Sequence, residues 1–134
     1  MPATAQTPAG RPRRRVKPLL FLVLFVLLVA GGFAAYVWST LHISYSEGER
    51  AGFVQKFSRK GWVCKTWEGE LAMVNLPGTV PEIFKFSVRD PAVADRLNQA
   101  IGQRVHLHYE QHKGVPSDCF GETEYFVTQV QPVQ

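Results

Sequence analysis

The sequence predicts one N-terminal transmembrane helix followed by a small mainly-β domain, and two observations carry this. Residues 19–38 (LLFLVLFVLLVAGGFAAYVW) are almost wholly apolar, and no Asp, Glu, Lys or Arg falls between Lys17 and Glu47. Beyond residue 42 the apolar positions come in short alternating runs separated by turn residues, with one stretch of helical spacing among them. At 134 residues the chain has room for one modest domain beside the helix and none for a multi-domain enzyme.

Residues 1–17 are rich in Pro, Ala, Thr and Arg with nothing to bury, which predicts a disordered basic tail. Arg11, Arg13, Arg14, Arg15 and Lys17 account for more than the whole net charge of +4, leaving ten basic against eleven acidic residues in the rest of the chain. The sequence pI of about 9.3 is therefore a property of the tail. The near-neutral remainder argues against nucleic acid as a partner.

Residues 18–41 form the predicted helix. At 1.5 Å per residue its apolar run is about 30 Å long, the thickness of a bilayer's hydrocarbon core. Tyr36 and Trp38 suit the headgroup layer at its far end, and the basic cluster before it keeps the N-terminus in the cytoplasm. A cleavable signal peptide has the same order of features, with an apolar core over 19–30 and small residues around Gly32-Phe33-Ala34. The apolar run continues through Trp38, longer than such a core needs, which favours an anchor. On either reading residues 42–134 are exported.

Within that domain, residues 51–58 (AGFVQKFS) read as a strand, Arg59-Lys60-Gly61 as a hairpin turn and residues 62–67 (WVCKTW) as the returning strand. Gly69 is expected to bend this second strand before residues 70–74, and the loop 75–81 (NLPGTVP) ends it. Residues 82–89 alternate, with Phe84, Phe86 and Val88 on one face and Lys85, Ser87 and Arg89 on the other. Asp90-Pro91 supplies an N-cap and an N1 proline for a helix over 91–101, in which Val93, Leu97 and Ile101 recur at i, i+4 spacing before Gly102. Residues 104–112 alternate again, with Val105, Leu107 and Tyr109 inward, and a last strand at 124–130 shows no clear inward face. The order β-β-β-α-β-β matches an OB-like five-stranded barrel with one helix between its third and fourth strands. Another small barrel or sandwich with the same order stays open.

The stretches SYSEGERAGFVQKFSRKGWVCKTWEGEL (44–71) and CFGETEYFV (119–127) resemble an uncharacterised family of small bacterial single-pass membrane proteins with an exported β-rich domain. The resemblance spans most of residues 36–132. It implies a protein of the cell inner membrane with its C-terminal domain in the periplasm, and it brings no activity or catalytic residues. Some relatives carry a 6-phosphogluconate dehydrogenase label, which finds no support in this chain: it has no G-x-G-x-x-G between a strand and a helix. No cofactor is expected.

Four features bear on chemistry. His106, His108, Glu110 and His112 form H-x-H-x-E-x-H, projecting to one strand face at about 7 Å intervals. They are candidate metal ligands, to be completed from Asp118, Glu122 or Glu124, although an outward strand face is ordinarily polar. Cys64 and Cys119 are the only cysteines, and in an oxidising compartment the pair invites a disulfide. Among Phe53, Phe57, Trp62, Trp67, Phe84 and Phe86, most are expected in the core, with Trp62 and Trp67 the candidate contact residues. Glu68 and Glu70 are the only hint of a carboxylate pair, and no G-x-S-x-G nucleophile motif is present. These features point to a non-enzymatic, membrane-anchored module that binds an envelope protein, with metal binding on the His106/His108 face as the alternative.

Overall fold

The computed structural model of the chain describes residues 1–5, 10, 16–73 and 76–133. The elements run α1 (Val16–His42), β1 (Ser46–Lys60), β2 (Thr66–Met73), β3 (Ile83–Val88), α2 (Pro91–Gln99), β4 (Arg104–Gln111) and β5 (Tyr125–Pro132). Two compact units result, Met1–Ala35 and Tyr36–Gln134, so the last turns of α1 count with the β domain. Most of the expected disordered tail falls on residues 6–9 and 11–15, and the expected end of the second strand on 74–75, outside the described residues.

Helix α1 is long and apolar enough to cross a bilayer, and its large side chains from Leu19 to Val29 are all exposed. Side chains of this kind in the interior of a soluble protein would be covered, and by length and composition the helix suits a membrane span or a signal sequence.

The five strands close into a barrel in the order β1-β2-β3-β5-β4. β1 makes this possible by its length: its first half pairs with β4, from Ser46↔Gln111 to Phe53↔Arg104, and its second half with β2, from Gly52↔Met73 to Lys60↔Thr66. The crossing point is Gly52, where a Cβ would run into the Ala72 carbonyl, and a bulge between Val54 and Lys56 adds the local twist that turns the strand from one neighbour to the other. The seam between β3 and β5 is thin, a single parallel bridge at Ser87↔Phe126. Val54, Phe57, Leu71, Phe84, Phe86, Leu107 and Val127 fill the interior.

Helix α2 is capped as expected: the Asp90 carboxylate accepts the Ala92 amide at 2.8 Å, and Pro91 opens the first turn. Its Val93, Ala94 and Leu97 are buried against the barrel. The helix stops at Gln99 rather than 101, with Gly102 at φ +78 leading out. Ile101 accordingly leaves the apolar face; it is 48% exposed and bridges Val54.

Two further expectations are corrected. Residues 62–65 are loop and not strand, because pairing resumes only at Lys60↔Thr66 and the disulfide draws Cys64 out of the sheet toward Cys119. Gly69 does not bend β2, which is continuous through it; the missing side chain makes room for rings, since a Cβ there would lie 2.6 Å from Phe86 Cε2 and 3.0 Å from Phe57 Cδ2. Ser87 does share the outer face with Lys85 as expected, yet it is fully buried because Glu68 and the segment carrying Thr123 lie over it.

Candidate functional site: an outer sheet face and two bridged loops

The register stacks polar side chains in rows across the outer face of β1, β2 and β3. Lys56 stands opposite Glu70, which stands opposite Lys85; Ser58 stands opposite Glu68, which stands opposite Ser87. Alternation explains the composition: Phe57 and the β3 phenylalanines take the inner positions, leaving lysine, serine and glutamate outside.

Glu68 ties this face to the loop before β5. Its carboxylate is only 7% exposed as a residue and accepts three hydrogen bonds: from Thr66 Oγ1 (2.8 Å), Ser87 Oγ (2.6 Å) and the Glu122 amide (3.0 Å). Ser87 Oγ also accepts the Thr123 amide at 3.1 Å. A buried carboxylate needs such donors, since burying it bare would cost several kcal/mol. Glu68 is thus a structural link between β2, β3 and residues 122–123, and Ser87 spends its hydroxyl on the same network. Beside it Lys60 Nζ pairs with Glu122 at 2.8 Å. The hydrogen bond to Glu122 raises the Lys60 pKa above the ordinary 10.5; partial desolvation opposes this, and the charges of Glu122, Glu68 and Glu70 add to it.

Next to this face two loops meet. Cys64, in the β1–β2 loop, is bonded to Cys119, in the β4–β5 loop, with their Cα atoms 5.0 Å apart. The bridged β1–β2 loop presents Trp62 and Val63 with essentially their whole side chains in solvent. Trp67 differs: it is half-buried, stacks on Phe57 at 5.3 Å between ring centroids and lies under the Arg59 guanidinium at 5.7 Å. Of the two tryptophans singled out from sequence, Trp62 is the one free to reach a partner.

The histidine strand lies elsewhere, on the β1–β4 side of the barrel. His106 Nε2 is 3.4 Å from Glu49 Oε2, and His108 Nδ1 is 4.0 Å from Glu49 Oε1. His112 is buried with both ring nitrogens engaged: Nδ1 donates to the Thr40 carbonyl (2.8 Å), and Nε2 lies 3.1 Å from Glu110 Oε2. Of the three acidic residues expected to complete a metal site, Glu122 pairs with Lys60, Glu124 accepts from Gln111, and Asp118 lies in the β4–β5 loop, outside the cluster of Glu47, His108 and Glu110. Glu47 and Glu49 were not anticipated as neighbours of these histidines; they come from the polar first half of β1, and only the β1–β4 register reveals the pairing.

Residues 44–134 match the family described as a domain of unknown function, DUF8785. No curated protein matches the chain. Among solved structures, the crystal structure of a mitochondrial single-stranded DNA-binding protein from S. cerevisiae matches with a TM-score of 0.52 at 8% identity, covering 69% of this chain and 97% of that one. At that identity the likeness concerns the fold, and it agrees with the OB-like element order. It also overturns the expectation that nucleic acid is no partner, since the fold is one that a single-stranded DNA-binding protein uses; on the β1–β2–β3 face Lys56, Lys60 and Lys85 alternate with Glu68, Glu70 and Glu122.

Proposed function

The chain belongs to the DUF8785 family, whose description assigns no activity, and from its own geometry we propose that it is a membrane-anchored binding module that engages another envelope protein through the bridged β1–β2 loop. The observation that carries this reading is the exposure of Trp62 and Val63 on a loop fastened by the Cys64–Cys119 bond. A tryptophan in solvent contributes nothing to the fold, yet tryptophan is among the residues that dominate binding energy when a partner covers it. A loop held in one conformation loses less entropy on binding, so fastening it favours association.

The anchor and the compartment belong to the same reading. Helix α1 holds the protein in the inner membrane with the N-terminus cytoplasmic, and the β domain stands in the oxidising periplasm, where a disulfide persists. The role is binding rather than catalysis: Ser87 and Glu68, the residues nearest to a catalytic pairing, spend their hydrogen bonds on structure. The test is in-cell crosslinking at native level, detergent extraction and identification of what co-purifies. A stoichiometric envelope protein lost on Trp62→Ala supports the reading; recovery of the protein alone, or a partner indifferent to Trp62, sinks it.

A second reading rests on the single-stranded DNA-binding neighbour, with Lys56, Lys60 and Lys85, interleaved with Glu68, Glu70 and Glu122 on the β1–β2–β3 face, as the groups a strand would meet. OB-folds bind oligonucleotides on the corresponding strands and the loops beside them. Fluorescence anisotropy with a labelled single-stranded oligonucleotide tests it: binding that weakens steeply with salt and on Lys85→Ala supports this reading, and no binding at low salt excludes it.

A further inference from the structure

The outer face of the β1–β4 pair gathers a separate group of side chains. The register sets Glu47 opposite Glu110 and Glu49 opposite His108. Like charges directly across an antiparallel pair repel, so Glu47 and Glu110 together form a place where a cation is favoured. An imidazole stands beside them: one carboxylate oxygen of Glu47, one ring nitrogen of His108 and one carboxylate oxygen of Glu110 lie within 4.8 Å of one another. We propose that Glu47, His108 and Glu110 bind a divalent transition-metal ion of the zinc class.

Bonds of about 2.0–2.2 Å in a tetrahedral set place ligand atoms roughly 3.4 Å apart, so these three reach bonding positions by small side-chain rotations. Two carboxylates alone would suit magnesium or calcium, and the imidazole shifts the preference toward zinc and its neighbours. Glu47 is exposed while His108 and Glu110 are half-buried. The site is therefore reachable from solvent and keeps a coordination position for water. Three protein ligands come together only because Glu47 arrives from β1; along β4 itself, alternate side chains stand about 7 Å apart.

The surroundings orient the ligands. His112 Nδ1 donates to the Thr40 carbonyl, and His112 Nε2 lies 3.1 Å from Glu110 Oε2, which fixes the place of that carboxylate. Glu49 Oε1 lies 4.0 Å from His108 Nδ1, close enough to bias the ring electrostatically but beyond hydrogen-bond distance. His112 is thus a positioning residue and not a ligand, and through Thr40 it joins the site to the last turn of α1. His106, turned to Glu49, stands outside the ligand set.

The experiment uses the full chain in detergent, purified without a polyhistidine tag and stripped with chelator. Zn²⁺ is titrated calorimetrically, and Co²⁺ is added as a spectroscopic probe of coordination. The proposal expects one ion per chain, a loss of more than about 100-fold in affinity for His108→Ala and for Glu47→Gln, and a loss of about 10–100-fold for His112→Gln, the range typical of groups that orient ligands. His106→Ala should bind as the unaltered protein does. Glu47 is exposed, so its variant stays folded even if a His108 variant does not. Absence of one-to-one Zn²⁺ binding, unchanged affinity in Glu47→Gln, or equal losses for His106→Ala and His108→Ala would each overturn the site.

Discussion

Removing the Cys64–Cys119 bond should destabilise the β domain severely. The bond closes a sequence separation of 55 residues, and in the chain-entropy account a loop of that size restricts the unfolded chain by about 4 kcal/mol. A small domain loses about 4–8 °C of thermal midpoint per kcal/mol, so the midpoint should fall by roughly 15–30 °C. The perturbation is the double variant Cys64→Ser/Cys119→Ser in the full chain, compared with the oxidised protein in the same detergent. Near-ultraviolet circular dichroism and tryptophan fluorescence follow denaturation by heat and by urea. A second effect is local: Lys65 adjoins the bridge, so trypsin should cut there faster in the variant while the barrel is still folded. A loss below about 1 kcal/mol with an unchanged urea slope would refute the reasoning, because it would mean that this loop does not constrain the unfolded chain.

Other predictions concern the outer sheet face. Glu68→Ala leaves Ser87 Oγ and the Glu122 amide without their acceptor and should cost about 2–4 kcal/mol by urea denaturation, with faster hydrogen exchange at Glu122 and Thr123. Gly69→Ala drives a methyl group against Phe86 and Phe57; overpacking of this kind should cost about 2–3 kcal/mol, seen as a lower urea midpoint. The Lys60–Glu122 pair gives an alkaline signature. Its folded pKa is raised above 10.5, so its contribution is complete below the unfolded value and disappears as the pH climbs through the folded one. Stability of the unaltered protein minus that of Lys60→Met should therefore shrink above about pH 10.5 and stay constant from pH 7 to 9.

How much of this was legible in the sequence depended on whether hydrophobic periodicity marked it. The apolar helix, the alternation of Phe84, Phe86 and Val88, and the Asp90-Pro91 cap with Val93 and Leu97 are written in side-chain type and spacing, and they appear in the structure. The first half of β1 is not. Its inward positions are taken by Gly48, against which the Tyr109 ring lies, and by Arg50, whose guanidinium sits 4.9 Å over Phe84. A strand lined by glycine and arginine shows no apolar alternation, so the sequence reading starts it at Ala51 and misses its first five residues. That half-strand carries Glu47 and Glu49, the acidic neighbours of His106 and His108.

Turn signals misled for a related reason. Arg59-Lys60-Gly61 looks like a hairpin turn, but the loop runs on to Lys65 before pairing resumes at Thr66. A covalent link to residue 119 shapes that loop, and strand propensity in WVCKTW says nothing of it. Ser87 shows the limit of a two-face alternation: it does point outward, and it is buried because Glu68 and Thr123 cover it.

The most direct test of the central claim is a photoreactive amino acid placed at position 62 in the full chain, expressed in cells at native level and irradiated. The account predicts one discrete crosslinked species containing another envelope protein, absent when the same probe sits at position 101, which is also exposed but on a different loop. No crosslink at 62, or an identical pattern at both positions, would contradict it.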